Sequence, residues 1–444
     1  MRSLVLALLG FFLATAAGAE PPIAFVAVNV LPMDGERILA NQIVLVRDRK
    51  IEAIGPNLAI PQGALVIDGH GTAYLSPGLA DMHVHAETPS DFAVYLANGV
   101  TSVLNMGGAS ARLVDVVAPR ANKGEIPAPH VYVSFMVDGS PRYSNFVVKN
   151  AAEARALVRL AKSNGYDFIK VYNDLSAECF LALVDEGRKR GIAVIGHGVT
   201  AVGLEKQLDA GQIMVAHTEE FLYSTFGYPD RGQPTEAQIP AAIAFLKRDH
   251  AFVTADLITY ATIARQWGKP EIVKQFLDRP ELRYISPDRR LGWIRSDYAA
   301  RTTDISGNVA LLRTLTKAMS DAGVPLITGT DSPSIAGLLP GYSLHDDLDI
   351  LEAAGLSRFQ VLSAATRTPG EFIKKAIKGA EPFGTVAPGN RADLILTAGN
   401  PLDGLATLRQ PLGVMGNGHW YARADLDALL AKVADSYDQA SAHH

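Results

Sequence analysis

The sequence predicts an α/β protein: a (β/α)8 TIM barrel with a small flanking β-sandwich domain built from the N- and C-terminal segments. Between residues 77 and 385, short apolar runs alternate with helical stretches, which is the pattern of parallel β-α units. Strand-like runs separated by turns lie on either side, in residues 20–76 and 386–422. We therefore expect the barrel to be inserted within the β domain, and residues 423–444 to form a C-terminal helix and tail.

Residues 1–19 have the layout of a secretory signal peptide. Arg2 precedes an apolar run from Leu4 to Leu13, and Ala17-Gly18-Ala19 offers a small-residue cleavage site. No other run approaches the ~18 apolar residues of a membrane span, so we expect no stable membrane anchor. These features predict cleavage after Ala19 and an exported protein, either periplasmic or secreted.

The composition is that of a folded globular protein. Hydrophobic residues make up 48% of the 444-residue chain and charged residues 20%. The formal net charge is −5 and no Lys/Arg cluster is present, so we expect no nucleic-acid partner. Cys179 is the single cysteine, which excludes an intrachain disulfide and favours core packing. The sequence does not specify an oligomeric state, and a homo-oligomer stays open.

Short strand-like runs define the two parts of the predicted β domain. The first part contains residues 23–30, 42–46, 51–54 and 64–68. The second contains residues 392–397, 413–416 and 419–421. Asn417-Gly418 joins the last two runs and is a strong hairpin signal.

Eight strand candidates build the predicted barrel: residues 79–85, 101–106, 130–137, 168–172, 193–197, 213–217, 251–256 and 325–331. Helices lie between most of them. One is predicted over residues 92–98, with Ser90 or Asp91 as its cap and Gly99 at its end. Another is predicted over residues 177–190 and ends at Gly191. A closed barrel of this kind places functional groups at the carboxyl ends of its strands.

The connection between the last two strand candidates is longer than one helical crossover needs. It contains 68 residues between Asp256 and Pro325, with many aromatic and basic side chains. A loop of this length in a compact domain is usually a lid or a binding element. Any of its arginines is suited to hold a substrate carboxylate, although a solvated surface role is the simpler explanation for each.

Residues that commonly bind metals fall at the ends of five strand candidates: His83, His85, Lys170, His197, His217 and Asp331. His83 and His85 are two residues apart on a strand, so both imidazoles project from one face and can reach one cation. Taken singly, each residue has a simpler explanation, such as a hydrogen-bonded structural histidine or a turn aspartate. Their shared position at strand ends favours a metal site.

Lys170 lies in the middle of the strand-like run "DFIKVYND", where an unpaired buried ammonium costs several kcal/mol. Two explanations stay open. The ammonium extends to water or pairs with Asp167 or Asp174, or a neutral amine takes up carbon dioxide and forms a carbamate that bridges two divalent cations.

The ordered motifs resemble the amidohydrolase superfamily, in its prolidase-like and imidazolonepropionase-like branch. The matching pieces are "PGLADMHVH", "DFIKVY", "VIGHG", "MVAHTE", "LITGTDSP", "SLHDDLDILEAAGLS" and "APGNRADLIL". The resemblance implies that His83, His85 and Asp331 hold one metal and that His197 and His217 hold the other. It further implies that Lys170, as N6-carboxylysine, bridges both. Imidazole ligands favour zinc, although manganese, cobalt and iron also fit.

The resemblance implies hydrolysis of an amide C–N bond by a hydroxide held between the two cations, with Asp331 as general base and then general acid. The expected substrates are dipeptides, N-acyl amino acids or related amides. Alternatives are cyclic-amide hydrolysis and lactone or ester hydrolysis on the same metals. A further alternative is an exported metal- or ligand-binding protein without catalysis. Relatives often carry a Gly- and His-rich segment after the third strand, whereas this chain has "VDGSPRYSN".

Two further residues are candidates for substrate binding. Tyr223 follows the sixth strand candidate, although loop packing is the simpler explanation for it. His345 lies just inside a predicted helix, where Ser343 and Asp346 resemble a capping box. A solvated position on that helix is the alternative for His345.

Overall fold

The computed structural model of the protein describes residues 21–144 and 146–442. The expected signal peptide, residues 1–19, lies outside the described residues. In the described part, no helix combines the length and the apolar character needed to cross a bilayer.

Two sheets contain the strands of the described chain. In chain order the strands are β1 (Ile23–Val30), β2 (Leu39–Arg47), β3 (Lys50–Gly55), β4 (Leu65–Asp68), β5 (Tyr74–Pro77), β6 (Leu79–Val84), β7 (Val100–Asn105), β8 (His130–Val137), β9 (Phe168–Val171), β10 (Ala193–Gly196), β11 (Met214–Val215), β12 (Phe252–Thr254), β13 (Leu326–Ile327), β14 (Leu394–Thr397), β15 (Gly413–Gly416) and β16 (His419–Ala422).

Most helices of the described chain lie around the sheet formed by β6 to β13. The helices are α1 (Pro89–Ala97), α2 (Ala118–Asn122), α3 (Ala151–Ser163), α4 (Ala177–Arg190), α5 (Leu204–Ala210), α6 (Glu220–Ser224), α7 (Ile239–Arg248), α8 (Leu257–Gln266), α9 (Pro270–Leu277), α10 (Pro287–Ile294), α11 (Ser306–Asp321), α12 (Tyr342–Ala353), α13 (Arg358–Ala364), α14 (Arg367–Ala376) and α15 (Arg423–Ala442).

Strands β6 to β13 form the barrel. Neighbours in the chain are neighbours in the sheet, and each pair is parallel. Hydrogen bonds between the first and last strands close it: the Met82 amide donates to the Thr328 carbonyl (3.0 Å), and the Thr330 amide donates to the His83 carbonyl (3.2 Å). The predicted fold class is therefore confirmed, because all eight barrel strands are present and parallel.

Large apolar side chains fill the barrel interior and close its amino-terminal end. Phe168 on β9 stacks on Phe372 of α14 with ring centroids 5.5 Å apart, and Phe252 on β12 meets the same ring edge-on at 5.3 Å. Phe383, which follows α14, lies against Tyr132 at the start of β8. This aromatic floor leaves the opposite end, where the strands finish, as the accessible mouth of the barrel.

The other sheet is mixed and takes strands from both ends of the described chain. Its order is β16-β15-β14-β5-β1-β2-β3, and β4 pairs with β1. A separate apolar cluster, with Phe25, Leu75 and Met415 among its buried members, packs on this sheet. Strand β5 was not predicted. Only Gly78 separates this four-residue strand from β6, so the two strands read as one apolar run in the sequence.

Helix ends follow local capping chemistry. As predicted, α4 runs from Ala177 to Arg190 and ends at Gly191, whose φ of 63° lies in the left-handed region that glycine tolerates. Helix α1 begins earlier than predicted. Its cap is Thr88, not Ser90 or Asp91, because Asp91 is the third helical residue and closes a capping box with Thr88.

Candidate metal centre

The structure brings all six predicted metal-site residues together at the carboxyl ends of the barrel strands. Asp331 Oδ1 lies 2.7 Å from His85 Nε2 and 3.4 Å from His83 Nε2. Lys170 Nζ lies 3.3 Å from His83 Nε2. The ring of His217 lies 4.1 Å from that of His83 and 4.9 Å from that of His197, between centroids. Six side chains from five strand ends thus share one cluster.

Two buried carboxylates orient the imidazoles of His197 and His217. The Nδ1–H of His197 donates to Glu220 Oε1 (2.6 Å), and that of His217 donates to Asp256 Oδ2 (2.5 Å). Donation through Nδ1 leaves Nε2 of each ring with a lone pair, which is the form that binds a metal. Asp256, His83 and His217 also offer ligand atoms within 4.8 Å of one another. Because Asp256 accepts the hydrogen bond from His217 Nδ1, we assign it the role of orienting that imidazole.

The site contains an imidazole nitrogen that a cation would satisfy. Nε2 of His197 is buried and has no hydrogen-bond partner among the described residues. Leaving such groups unpaired away from water is costly. His83, His85 and Asp331 also offer ligand atoms within 4.8 Å of one another. The donor set of imidazole and carboxylate fits a divalent transition metal.

The amine of Lys170 points into this cluster. The residue is 1% exposed, so the ammonium does not extend to water. Neither neighbouring aspartate pairs with it, because Asp167 accepts from the Val133 amide and Asp174 from the Ser140 hydroxyl. Burial lowers the pKa of Lys170 to about 8. Of the two explanations left open by the sequence, the geometry favours an amine that serves the site.

Asp331 is held as a carboxylate beside the histidines. Burial alone would raise its pKa, but the charge and hydrogen bond of His85 outweigh burial and hold the pKa well below the usual range. Asp331 has a φ of 58° and His217 a φ of 71°, both in the left-handed region. Such conformations cost about 1–3 kcal/mol for non-glycine residues and are concentrated at functional sites.

The amidohydrolase family profile matches residues 74–421, most of the chain. The chain belongs to the amidohydrolase family.

Known structures and proteins resemble this amidohydrolase to different extents. Bottromycin amidohydrolase is 26% identical, with a TM-score of 0.73 over 94% of this chain and 90% of that one. A prolidase complexed with N-methylphosphonate-L-proline is 20% identical, with a TM-score of 0.66 over 90% of this chain and 100% of that one. At this identity the likeness is one of fold alone. Dihydroorotase of Mycobacterium tuberculosis is 40% identical over 79 residues, which span 18% of this chain and 17% of that protein.

In this amidohydrolase the cluster opens into a cleft of about 430 Å³. Strand β8 supplies Met136 to its wall, and the segments after β8 and β9 supply Tyr143 and Tyr172. Residues 292–293 and 295–298 of the long connection between β12 and β13 form another part, together with residues 334–336. We call residues 257–324 the lid segment. Its Trp293 is 2% exposed and donates from Nε1 to the Pro333 carbonyl (3.0 Å), which fixes α10 beside the mouth.

The two residues expected to contact substrate lie elsewhere in the amidohydrolase. Tyr223, on α6, is 40% exposed, its hydroxyl pairs with Tyr260, and it does not line the cleft. His345 is 2% exposed, and its Nε2 lies 2.9 Å from the carbonyl oxygen of Asn98. His345 is therefore a buried residue of α12 that is bonded to Asn98, and it is neither solvated nor in the cleft.

The expected capping box of α12 is also wrong. The cap of this helix is Gly341, without a side-chain hydrogen bond. The Ser343 hydroxyl instead accepts from the Leu339 amide, and Asp346 pairs with Arg409. The expectation failed because α12 begins at Tyr342, which puts Ser343 inside the helix.

Sequence reasoning missed several residues of the site. Glu220 follows His217 by three residues, and Asp256 ends the seventh strand candidate, but nothing in the sequence pairs either carboxylate with a particular imidazole. Tyr172 is two residues beyond Lys170, a spacing that places both on one strand face. Its ring stacks on that of His197 at 3.9 Å between centroids. This spacing was the one signal that pointed to a cleft residue.

Proposed function

We propose that this protein is a metal-dependent hydrolase that cleaves an amide C–N bond in a dipeptide, an N-acyl amino acid or a related amide. The observation that carries the proposal is the convergence of four imidazoles, one lysine and one carboxylate at the mouth of a barrel of the amidohydrolase family. The likeness to bottromycin amidohydrolase, a structure 26% identical, supports the same chemistry.

The proposed metal ligands divide into two sets. His83, His85 and Asp331 would hold one divalent cation, and His197 and His217 a second, with Lys170 between them. Bound cations would polarise the amide carbonyl and activate water at neutral pH. Zinc fits the imidazole-rich set.

Lys170 is proposed to act as N6-carboxylysine. Its neutral amine attacks the carbon of carbon dioxide, a new N–C bond forms, and one amine proton leaves to solvent, which yields an anionic carbamate. The burial of Lys170 favours the neutral amine that this reaction needs. The product supplies two oxygens in place of a buried positive charge.

Asp331 is proposed to move the proton. Its carboxylate accepts a proton from the attacking water and returns it to the leaving nitrogen, so the amine departs in its neutral form. Glu220 and Asp256 keep the imidazoles of His197 and His217 fixed during both steps. A cleft of about 430 Å³ fits a small substrate.

The test measures metal content and turnover together. The purified protein is loaded with zinc, manganese or cobalt in the presence of bicarbonate. It is then assayed against dipeptides, N-acyl amino acids, cyclic amides and a lactone. We expect amine release from an amide, and a loss of at least about 100-fold in kcat for Lys170→Ala and Asp331→Asn. Lys206→Ala, a change outside the cleft, is the control. Turnover that survives both site changes would overturn the proposal, and preferential lactone cleavage would replace it with the ester alternative.

We also propose that the protein is exported, on the layout of residues 1–19. Mass spectrometry of the protein from its native host should find an N-terminus at Glu20. An intact Met1 on protein from the cytoplasmic fraction alone would contradict the proposal.

A further inference from the structure

The charges along the cleft wall are few. Among the described residues that line it, apart from the six of the metal site, only Arg295 and Asp297 carry a formal charge. Asp297 is neutralised by Arg301, at 2.7 Å. Within residues 21–144 and 146–442, the guanidinium of Arg295 takes part in no ion pair and no hydrogen bond. The cleft therefore offers one unpaired guanidinium, and the lid segment supplies it.

The backbone around Arg295 is fixed although its side chain is exposed. On one side Trp293 is buried and bonded to Pro333. On the other side the Ser296 hydroxyl donates to Gln266 Oε1 (3.0 Å). The Arg295 amide itself donates to the Gly292 carbonyl (3.1 Å), at the end of α10. The guanidinium is thus carried on an anchored turn, and pre-organisation of this kind lowers the entropic cost of binding a ligand.

Aromatic rings occupy the wall between the barrel strands and the solvent. Tyr143 lies tilted by 32° against Tyr172 at 4.9 Å between centroids, and Tyr172 stacks on His197 at 3.9 Å. Neither tyrosine carries a charge that competes for Arg295. A planar guanidinium pairs with a carboxylate through two parallel hydrogen bonds, a geometry that an ammonium does not offer.

We propose that Arg295 binds a carboxylate of the substrate, so that the enzyme selects amides that carry a free carboxylate over otherwise identical neutral amides. This inference rests on the proposed amide hydrolysis and assigns substrate selection to the lid segment. Arg295 is a specificity-determining residue and takes no part in bond cleavage.

The test compares N-acetyl-phenylalanine with N-acetyl-phenylalaninol, which replaces the carboxylate by a hydroxymethyl group. The wild-type protein should favour the carboxylate by about 10- to 100-fold in kcat/KM. Arg295→Gln should remove most of that preference, mainly through KM. Arg295→Lys, which keeps the charge but loses the paired geometry, should restore part of it. The control is Arg313→Gln, an exposed arginine of α11 that does not line the cleft.

A binding measurement separates this inference from the proposed function. Calorimetry with the metal-loaded Asp331→Asn variant compares the affinities of the two compounds, with and without Arg295→Gln. If turnover occurs but the preference is unchanged by Arg295→Gln, the assignment of Arg295 is overturned and the hydrolase proposal stands. A second outcome is that the wild-type protein cleaves no amide, but binds the carboxylate compound preferentially and loses this preference with Arg295→Gln. In that case Arg295 keeps its role and the hydrolase proposal fails. Absence of both turnover and preference overturns both.

Discussion

The carboxylates behind His197 and His217 decide which nitrogen each imidazole offers to a metal. Glu220 receives the Nδ1–H of His197 on one oxygen, and on the other it receives the Gly198 amide (3.0 Å) and the Asn173 side-chain amide (2.9 Å). The ring of His197 is therefore fixed before any ligand arrives, which lowers the reorganisation that metal binding requires.

Glu220→Gln should weaken metal binding more than it weakens the fold. The amide has one accepting oxygen, so at least one of the donors now bonded to Glu220 loses its partner. We expect zinc affinity to fall by about 10- to 100-fold, measured by competition with a chelator. Glu205→Gln is the matched control, because Glu205 pairs with Arg248 at the surface. Equal zinc affinity in both variants would show that His197 does not depend on Glu220.

At the scale of elements, α9 and α10 of the lid segment share a small apolar cluster with residues 336 and 339. Helices α8 and α11 of the same segment pack in the main barrel core instead. Trp293 packs with Val273, Phe276, Ile285, Ala336 and Leu339, apart from the main barrel core. Segments with small independent clusters open at lower free energy than the core does. We therefore expect α9 and α10 to open at lower free energy than the barrel strands.

Trp293→Phe should make this opening easier. The change removes the indole N–H that donates to the Pro333 carbonyl and keeps most of the ring. A lost hydrogen bond costs about 0.5–1.5 kcal/mol, so amide hydrogen exchange in α9 and α10 should become about 2- to 10-fold faster. Exchange in β6 to β13 should not change. Leu291→Ala, at a side chain 54% exposed on the same helix, is the control. Equal acceleration in the barrel strands would mean that α9 and α10 do not open separately from the barrel.

The elements also divide into those that the sequence could predict and those that it could not. Strand β10 is a continuous apolar run followed directly by His197, and β9 is an apolar run with Lys170 inside it, so both the strands and their functional residues were visible. Strand β5 was missed because its only separation from β6 is one glycine. The cap of α1 was missed because the choice among Thr88, Ser90 and Asp91 depends on backbone geometry. Likewise, the carboxylates that pair with His197 and His217 depend on the relative positions of helices and strands, which the sequence pattern alone does not determine.

At the scale of the whole molecule, a buried ion pair joins the two sheets. Arg391, just before β14, pairs with Asp393 at 2.5 Å and donates from Nη2 to the Ser102 hydroxyl on β7 (2.6 Å). Its guanidinium also lies 4.7 Å from the ring centroid of Phe383 in the aromatic floor. The residue thus links the mixed sheet to the lower end of the barrel.

Asp393→Asn should destabilise the whole protein, because it leaves a buried guanidinium without a counter-charge. Breaking such a pair costs about 3–5 kcal/mol. We expect a lower midpoint of thermal unfolding, by several degrees, with unchanged zinc affinity. Glu52→Gln is the control, since Glu52 and Arg47 form an exposed pair worth at most about 1 kcal/mol. A shift no larger than that of the control would mean that the pair does not hold the sheets together.

The aromatic floor has a kinetic consequence. Phe168, Phe252 and Phe372 pack across the lower end, and the cleft of the described barrel opens at the mouth beside the lid segment, so we expect small molecules to enter and leave there. Both halves of a cleaved amide must then leave by the path on which the next amide arrives. The half that carries the carboxylate would leave last if Arg295 retains it, and its accumulation would slow turnover by competition with fresh substrate.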